Sequence, residues 1–410
     1  MTGAAARDRV ILHCDCNSFF ASVETAHHPE YAQVPMAVAG DKELRHGIIL
    51  AKNELAKHFG VATAETIAQA RKKCPGLLLV PPHYEEYVKY SRAVSEIYAR
   101  YTDMIEPFGI DESWLDVTAS ERLWGSGEEI ATRIRAEVKA ALGITVSVGI
   151  SFNKVFAKLG SDYRKPDAQT LISRENFRQI VYPLPVGMLL FVGAHTEVGL
   201  RAIGVRTVGD LAAVSPSVLR MKFGKAGEML GKYARGEDDS PVCPEHESAK
   251  SISNGYTFAR DLIGEKECRQ GMAFLTEEIG SKLRRAGMVA GTVSLKIKDP
   301  YLRTVQKQMP LTPPTDIGRE IAEGAFVLYR KMWQGTAPVR MLTVSVSGLM
   351  PKERTAEQIS LFPETERTKK REKDERREEA VDEIRSRFGT ASIVSASLID
   401  RELDIFGKKP

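Results

Sequence analysis

The chain has 410 residues, 43% of them hydrophobic and 27% charged, with a formal net charge of +4. That is enough apolar content for several packed domains. The cysteines, Cys14, Cys16, Cys74, Cys243 and Cys268, show no metal-site pairing and exclude a disulfide framework, and no apolar run reaches the ~18 residues that a membrane span needs. With no signal peptide opening the chain, a cytoplasmic protein with reduced thiols and no membrane partner is expected.

The charge is unevenly placed. Residues 250–350 carry fifteen Lys and Arg against nine Asp and Glu, whereas residues 1–175 carry 21 against 23. A basic C-terminal module beside a slightly acidic N-terminal one suits a protein that grips a polyanion in one place and cations in another.

In chain order, "RVILHC" predicts an apolar strand from Val10 to Cys14 that turns helical after Asn17. "PMAVAG" and "GIILAK" predict short strands, and "ELAKHFG" and "AETIAQARKKCP" predict short helices ended by Gly60 and Pro75. "LLLVPP" reads as a strand and "YEEYVKYSRAVSEIYARYT" as a long amphipathic helix. A helix over 126–142 and the alternating strand "ITVSVGIS" follow. Residues 176–242 read as mostly helical, 243–250 as a polar linker, and "GTVSLKIKD" and "VRMLTVSVSGL" as amphipathic strands. After Pro351 the text collapses into charge, which predicts a solvated helix or a disordered tail. Strands and helices interleave without strict βαβ order, so the class is α+β with an inserted subdomain.

One stretch resists a plain strand reading. "EPFGIDESWLDV" sets Asp111 and Glu112 side by side among apolar neighbours. Successive strand side chains face opposite ways, so the two carboxylates converge only if the chain bends there into a hairpin. Asp15, at the end of the first strand, is a third acid. Asp15, Asp111 and Glu112 together could hold two Mg²⁺ for in-line phosphoryl displacement. A helix N-cap at Asp15 and a simple turn at 111–112 account for the same residues equally well.

"LHCDCNSFFASVE", "FGIDESWLDVT" and "SVGISFNKVFAKLGSDYRKP" resemble, in order and separation, three hallmark segments of the Y-family, DinB/UmuC-type translesion DNA polymerases. The resemblance spans about residues 8–350. It implies a right-hand polymerase with a ferredoxin-like palm (1–18 and 85–175), small fingers (19–84), a helix-hairpin-helix thumb (176–242) and an α/β little finger (251–350). The implied activity is low-fidelity, two-metal nucleotidyl transfer on primer–template DNA by a monomer. Asp15 and Asp111 would ligate both Mg²⁺ ions, Glu112 the catalytic one, and the Cys16 carbonyl the nucleotide-side one. Phe20 would be the steric gate against a ribose 2′-hydroxyl, and Lys165 a triphosphate contact.

The pattern departs from the family in "AKNELAKHFGV", where Glu54 and Lys57 stand at positions usually Tyr and Arg, and Ala51 replaces a hydroxyl residue. Lys57 keeps the charge of a triphosphate clamp without the bidentate fork, and Lys52 is a candidate to compensate. Gly193 would mark a helix-hairpin-helix turn on DNA. Lys250, Arg284, Arg285, Lys296, Lys298, Arg303 and Lys307 are candidate phosphate contacts. "QISLF" in the tail (351–410), with Gln358, Leu361 and Phe362, resembles the peptide by which bacterial polymerases dock on the sliding clamp. Two rivals are another palm-type enzyme, such as a nucleotidyl cyclase, and a non-catalytic DNA- and clamp-binding factor with a decayed nucleotide pocket.

Overall fold

The architecture comes from a computed structural model that describes residues 8–41, 45, 47–244, 249–333, 337–354, 366–389 and 392–394. The chain divides into two units, residues 1–40 with 48–246 and residues 41–47 with 247–410.

The first unit runs β1 (Ile11–Cys16), α1 (Phe19–His27), β2 (Met36–Ala39), β3 (Ile49–Lys52), α2 (Glu54–His58), α3 (Ile67–Lys73), β4 (Leu78–Val80) and α4 (Tyr84–Tyr98). It continues with β5 (Ile105–Pro107), β6 (Glu112–Asp116), α5 (Glu121–Trp124), α6 (Gly127–Leu142), β7 (Val146–Ser151), α7 (Lys154–Tyr163) and β8 (Gln169–Ile172). Its main sheet has the order β5-β6-β1-β7-β8. All pairs are antiparallel except β7 with β8.

Every residue of β1 and of β7 is buried, as expected of central strands covered on both faces. One cover is α6, which starts on a Ser126–Glu129 capping box and stops at Gly143 with φ +68°. The sequence reading placed a helix over 126–142, and these caps set its ends. The other cover is α7. A Cβ on Gly149 of β7 would lie 1.8 Å from the Ala157 carbonyl oxygen of α7, so only glycine lets this helix lie so close on the sheet.

A small sheet, β3-β2-β4, carries α2 and α3 with its own apolar cluster around Ile49, Ile67 and Leu77. After β8 come α8 (Phe177–Val181), α9 (Ala194–Arg201), α10 (Val208–Ala213) and α11 (Pro216–Ala234). These helices share one core with Phe152, Phe156 and Leu159, so the helical segment is built onto the edge of the main sheet.

The second unit contains β9 (Ser251–Leu262), α12 (Gly264–Arg285), β10 (Met288–Lys298), β11 (Thr304–Thr315), α13 (Gly318–Met332), β12 (Val339–Pro351) and α14 (Glu366–Phe388). Its antiparallel sheet has the order β11-β10-β12-β9. Helices α12 and α13 cover one face around Leu275, Ile279, Val293, Leu295, Ile321 and Val344.

The sequence reading found β10 and β12 but not β9 and β11. Those two are the edges, where polar residues and, in β11, Pro310, Pro313 and Pro314 are tolerated. The tail also differs from expectation. Helix α14 is not merely solvated: Glu378 and Asp382 accept from the half-buried Arg284 of α12, and Arg385 donates to Glu277 of α12.

Candidate active site

The carboxylates meet because of strand register. In the pairing of β1 with β6, Asp15 stands directly opposite Glu112. The Cys16 backbone N–H then donates to the Asp111 carbonyl at 2.9 Å, which fixes the residue before β6 against the end of β1. The chain bends between β5 and β6, where the N–H groups of Phe108 and Gly109 both donate to the Glu112 carbonyl at 3.0 and 3.2 Å. This is the hairpin that adjacent Asp and Glu required. A Cβ at Gly109 would lie 3.3 Å from both Asp111 Oδ1 and Glu112 Cγ.

Helix α7 supplies the cationic wall. Lys158 Nζ lies 2.5 Å from Glu112 Oε2 and 3.7 Å from Asp15 Oδ2. Lys165, just past the helix, lies 2.7 Å from Asp15 Oδ2 and 2.7 Å from Asp162 Oδ1. His13 of β1 is fully buried. Its Nε2 lies 3.3 Å from Glu112 Oε2 and its Nδ1 2.8 Å from Ser161 Oγ. His13, Asp15 and Glu112 each offer a ligand atom within 4.8 Å of the others. Sequence reasoning missed His13 and Lys158: a histidine inside an apolar strand and a lysine inside a helix carry no one-dimensional signal of convergence.

The electrostatics divide the three acids. Burial pushes the Asp111 carboxyl up to about 6, and the charges of Asp15 and Glu112 push the same way. Burial also raises Asp15, against the opposing charge of Lys165. Burial works to raise Glu112 as well, but the neighbouring His13 and the hydrogen bond from Lys158 win and hold it down at about 2. Burial lowers His13, favouring the neutral ring.

This makes a stability prediction. Asp111 has a folded pKa above its unfolded one, so its ionisation opposes folding above pH ~6, and that cost disappears below pH ~4. Asp111→Asn should therefore stabilise the metal-free protein at pH 8 by about 1–2 kcal/mol, after allowance for partial exposure. Urea denaturation should show the gain shrinking to nothing as the pH falls to about 4.

The nucleotide-side candidates are placed as follows. Phe20 of α1 is half-buried and stacks on Tyr87. Lys57 of α2 is exposed and lies 3.4 Å from Glu54, so the two departures from the family pattern pair with each other. Lys52 donates to the Thr63 hydroxyl at 3.0 Å. Gly193 is the residue before α9, with open space around its Cβ position.

On the second unit, the sheet face away from α12 and α13 forms a polar ladder. Cross-strand partners share a face, so Ser294 lies beside Ser345 and Ser253, and Lys296 beside Thr343 and Gly255. Lys298 continues the row beside Met341. Arg303 lies in the turn before β11, and Arg285 is exposed at the end of α12, with Lys250 exposed just before β9. One of the candidate phosphate contacts is corrected: Arg284 is drawn inward by Glu378 and Asp382 at 2.6 and 2.7 Å, with only 12% of its side chain exposed. Lys307 pairs with Leu295, on the sheet face opposite to Lys296 and Lys298, and is exposed on the edge strand β11. Gln358, Leu361 and Phe362 lie outside the described residues.

Comparison with known proteins places these features in a family. Residues 14–162 match the impB/mucB/samB family, 249–361 its C-terminal domain, and 191–238 the thumb domain described for DNA polymerase-iota. The chain is 45% identical to DNA polymerase IV of Acetivibrio thermocellus, over 97% of this chain and 99% of the relative. It is 36% identical to DNA polymerase IV 2 of Halalkalibacterium halodurans, over 94% of each chain. A solved Y-family DNA polymerase chimera of Dbh and Dpo4 shares the fold, with a TM-score of 0.74, 22% identity and coverage of 83% of this chain and 99% of that one. With matches along almost its whole length, the chain belongs to the Y-family of DNA polymerases, in its DinB/UmuC-type (impB/mucB/samB) group.

Proposed function

We propose that Asp15, Asp111 and Glu112 are the catalytic carboxylates of a DNA-directed DNA polymerase that extends primers across damaged templates. The observation carrying this reading is the β1–β6 register, which sets Asp15 opposite Glu112 with Asp111 clamped beside them. The donor set fits hard divalent cations. It is rich in carboxylate oxygen, and Asp111 is raised by burial and by its anionic neighbours, a condition that a bound cation relieves. Asp15, Asp111, Glu112 and the Cys16 carbonyl would hold two Mg²⁺, which when bound stabilise the attacking and leaving oxygens of the displacement.

The chain's own side chains supply the rest. Lys165, poised at the rim on Asp15 and Asp162, is placed to turn to the triphosphate, and Lys57 adds a second cation from α2. Lys158 and His13 orient Glu112. The palm (1–18 and 85–175), fingers (19–84), thumb (176–242) and little finger (251–350) are assigned in this way, with Gly193 and the Lys296–Lys298 face gripping duplex phosphates. A bound sliding clamp at Gln358–Phe362, a monomeric state and a cytoplasmic location complete the reading. Among the described residues no helix is long and apolar enough to cross a membrane.

Primer extension with Mg²⁺ and all four deoxynucleotides on undamaged and abasic templates tests the activity. No extension on either would overturn it. Phe20→Ala should raise ribonucleotide insertion relative to deoxynucleotide insertion by about 10²-fold in kcat/KM, since van der Waals exclusion of a hydroxyl has no substitute once the ring is gone.

A further inference from the structure

Phe20 rests on a second ring that is itself tied down. On α1, Phe20 and Glu24 lie one turn apart on the same face, and the start of α4 presents Tyr84 and Tyr87 to them. The Tyr87 ring lies 4.1 Å from that of Phe20 at an interplanar angle of 11°, and Tyr84 meets Phe20 edge-on at 5.9 Å. Tyr87 is fully buried. Its hydroxyl donates to Glu24 Oε1 at 2.5 Å and accepts from the His83 backbone N–H at 3.1 Å. The His83 ring holds the same carboxylate through Nδ1 at 2.9 Å.

Glu24 is only 3% exposed. A carboxylate buried between two helices is costly where an aliphatic residue would pack as well. What it adds is geometry: the carboxylate takes two directed hydrogen bonds, from the Tyr87 hydroxyl and the His83 ring, and so fixes the tyrosine at its hydroxyl.

We propose that Glu24 and His83 are positioning residues for sugar selection. By pinning Tyr87 they fix the surface on which Phe20 lies, and Phe20 then cannot slide aside for a 2′-hydroxyl. The proposal rests on Phe20 acting as the steric gate. A gate discriminates only as far as it refuses to move, and Phe20 is half-buried, so packing alone does not hold it on every side. Its stiffness is borrowed from Tyr87.

Single-nucleotide insertion with matched deoxy- and ribonucleotides on one primer–template tests this in the full chain, using Tyr87→Phe, Glu24→Gln, His83→Ala and Phe20→Ala. Tyr87→Phe should raise the ribo-to-deoxy ratio of kcat/KM about tenfold, the effect of losing a hydrogen bond to a charged group. Glu24→Gln keeps an acceptor and should give a smaller rise, of about threefold. His83→Ala should also raise the ratio. If Phe20→Ala raises the ratio while Tyr87→Phe and His83→Ala stay within twofold of wild type, the positioning role is wrong. If Phe20→Ala leaves it unchanged, the gate reading fails first. Should Glu24→Gln fold poorly, the other two decide. Tyr87→Phe removes one oxygen, and the His83 side chain is 54% exposed.

Discussion

Asp111→Ala is expected to abolish primer extension while leaving primer–template binding within about twofold. Asp111 is held at the end of β1 by the Cys16 N–H, and its carboxyl is kept near 6 by burial and by two neighbouring acids. Its charge is therefore expensive in the absence of a cation and available to one. In the proposed role of Asp111 as a ligand shared by two metals, its removal withdraws several kcal/mol of charge stabilisation at the displacement, which amounts to about 10³-fold or more in kcat. The candidate DNA-gripping residues on the second unit are untouched, so gel-shift affinity should persist. Residual extension above a few per cent of wild type would remove Asp111 from the catalytic set. Loss of DNA binding alongside activity would point to a structural defect instead.

Arg284→Ala is expected to release α14 from the second unit. Arg284 donates to Glu378 and Asp382 at 2.6 and 2.7 Å and to the Asp316 carbonyl at 2.9 Å. Deleting one partner of a buried charge cluster commonly costs about 3–5 kcal/mol, because the others stay buried and unpaired. Here the cost has a ceiling. The two carboxylates belong to a helix that can undock and become hydrated, so the penalty stops at the docking free energy of α14. Hydrogen exchange should lose protection across 366–388 while β10 and β12 keep theirs. Arg284→Lys keeps the charge but not the fork and should give partial release. Uniform loss of protection throughout the second unit would overturn the assignment of α14 as a separately docked element.

These features differ in how visible they are in the amino-acid text. The Asp111–Glu112 hairpin is legible because the strand period of two forbids adjacent side chains from sharing a face, and Asp15 is legible as an acid ending an apolar run. The helices Gly127–Leu142 and Tyr84–Tyr98 are legible from capping residues and apolar periodicity. His13, Lys158 and the Glu24–Tyr87 bond depend on packing between segments distant in sequence, which no periodicity encodes. The docking of α14 is invisible for a different reason. Its contacts are ion pairs, so it has no apolar stripe and reads as a solvated charge run. Arg284 illustrates the limit of counting charge. A basic segment says how many cations it holds, but strand register and helix docking decide which of them face outward.

The direct opposition of Asp15 and Glu112 also bears on how heterogeneity in a preparation would be seen. A slip of one residue between β1 and β6 sends alternate side chains to the opposite face and parts the two acids altogether. No intermediate spacing is available to a pleated ladder, so on the proposed role of these acids a misregistered sheet is inactive rather than slow. Imperfect folding should therefore lower the concentration of titratable active sites in a pre-steady-state burst and leave the turnover of each remaining site unchanged.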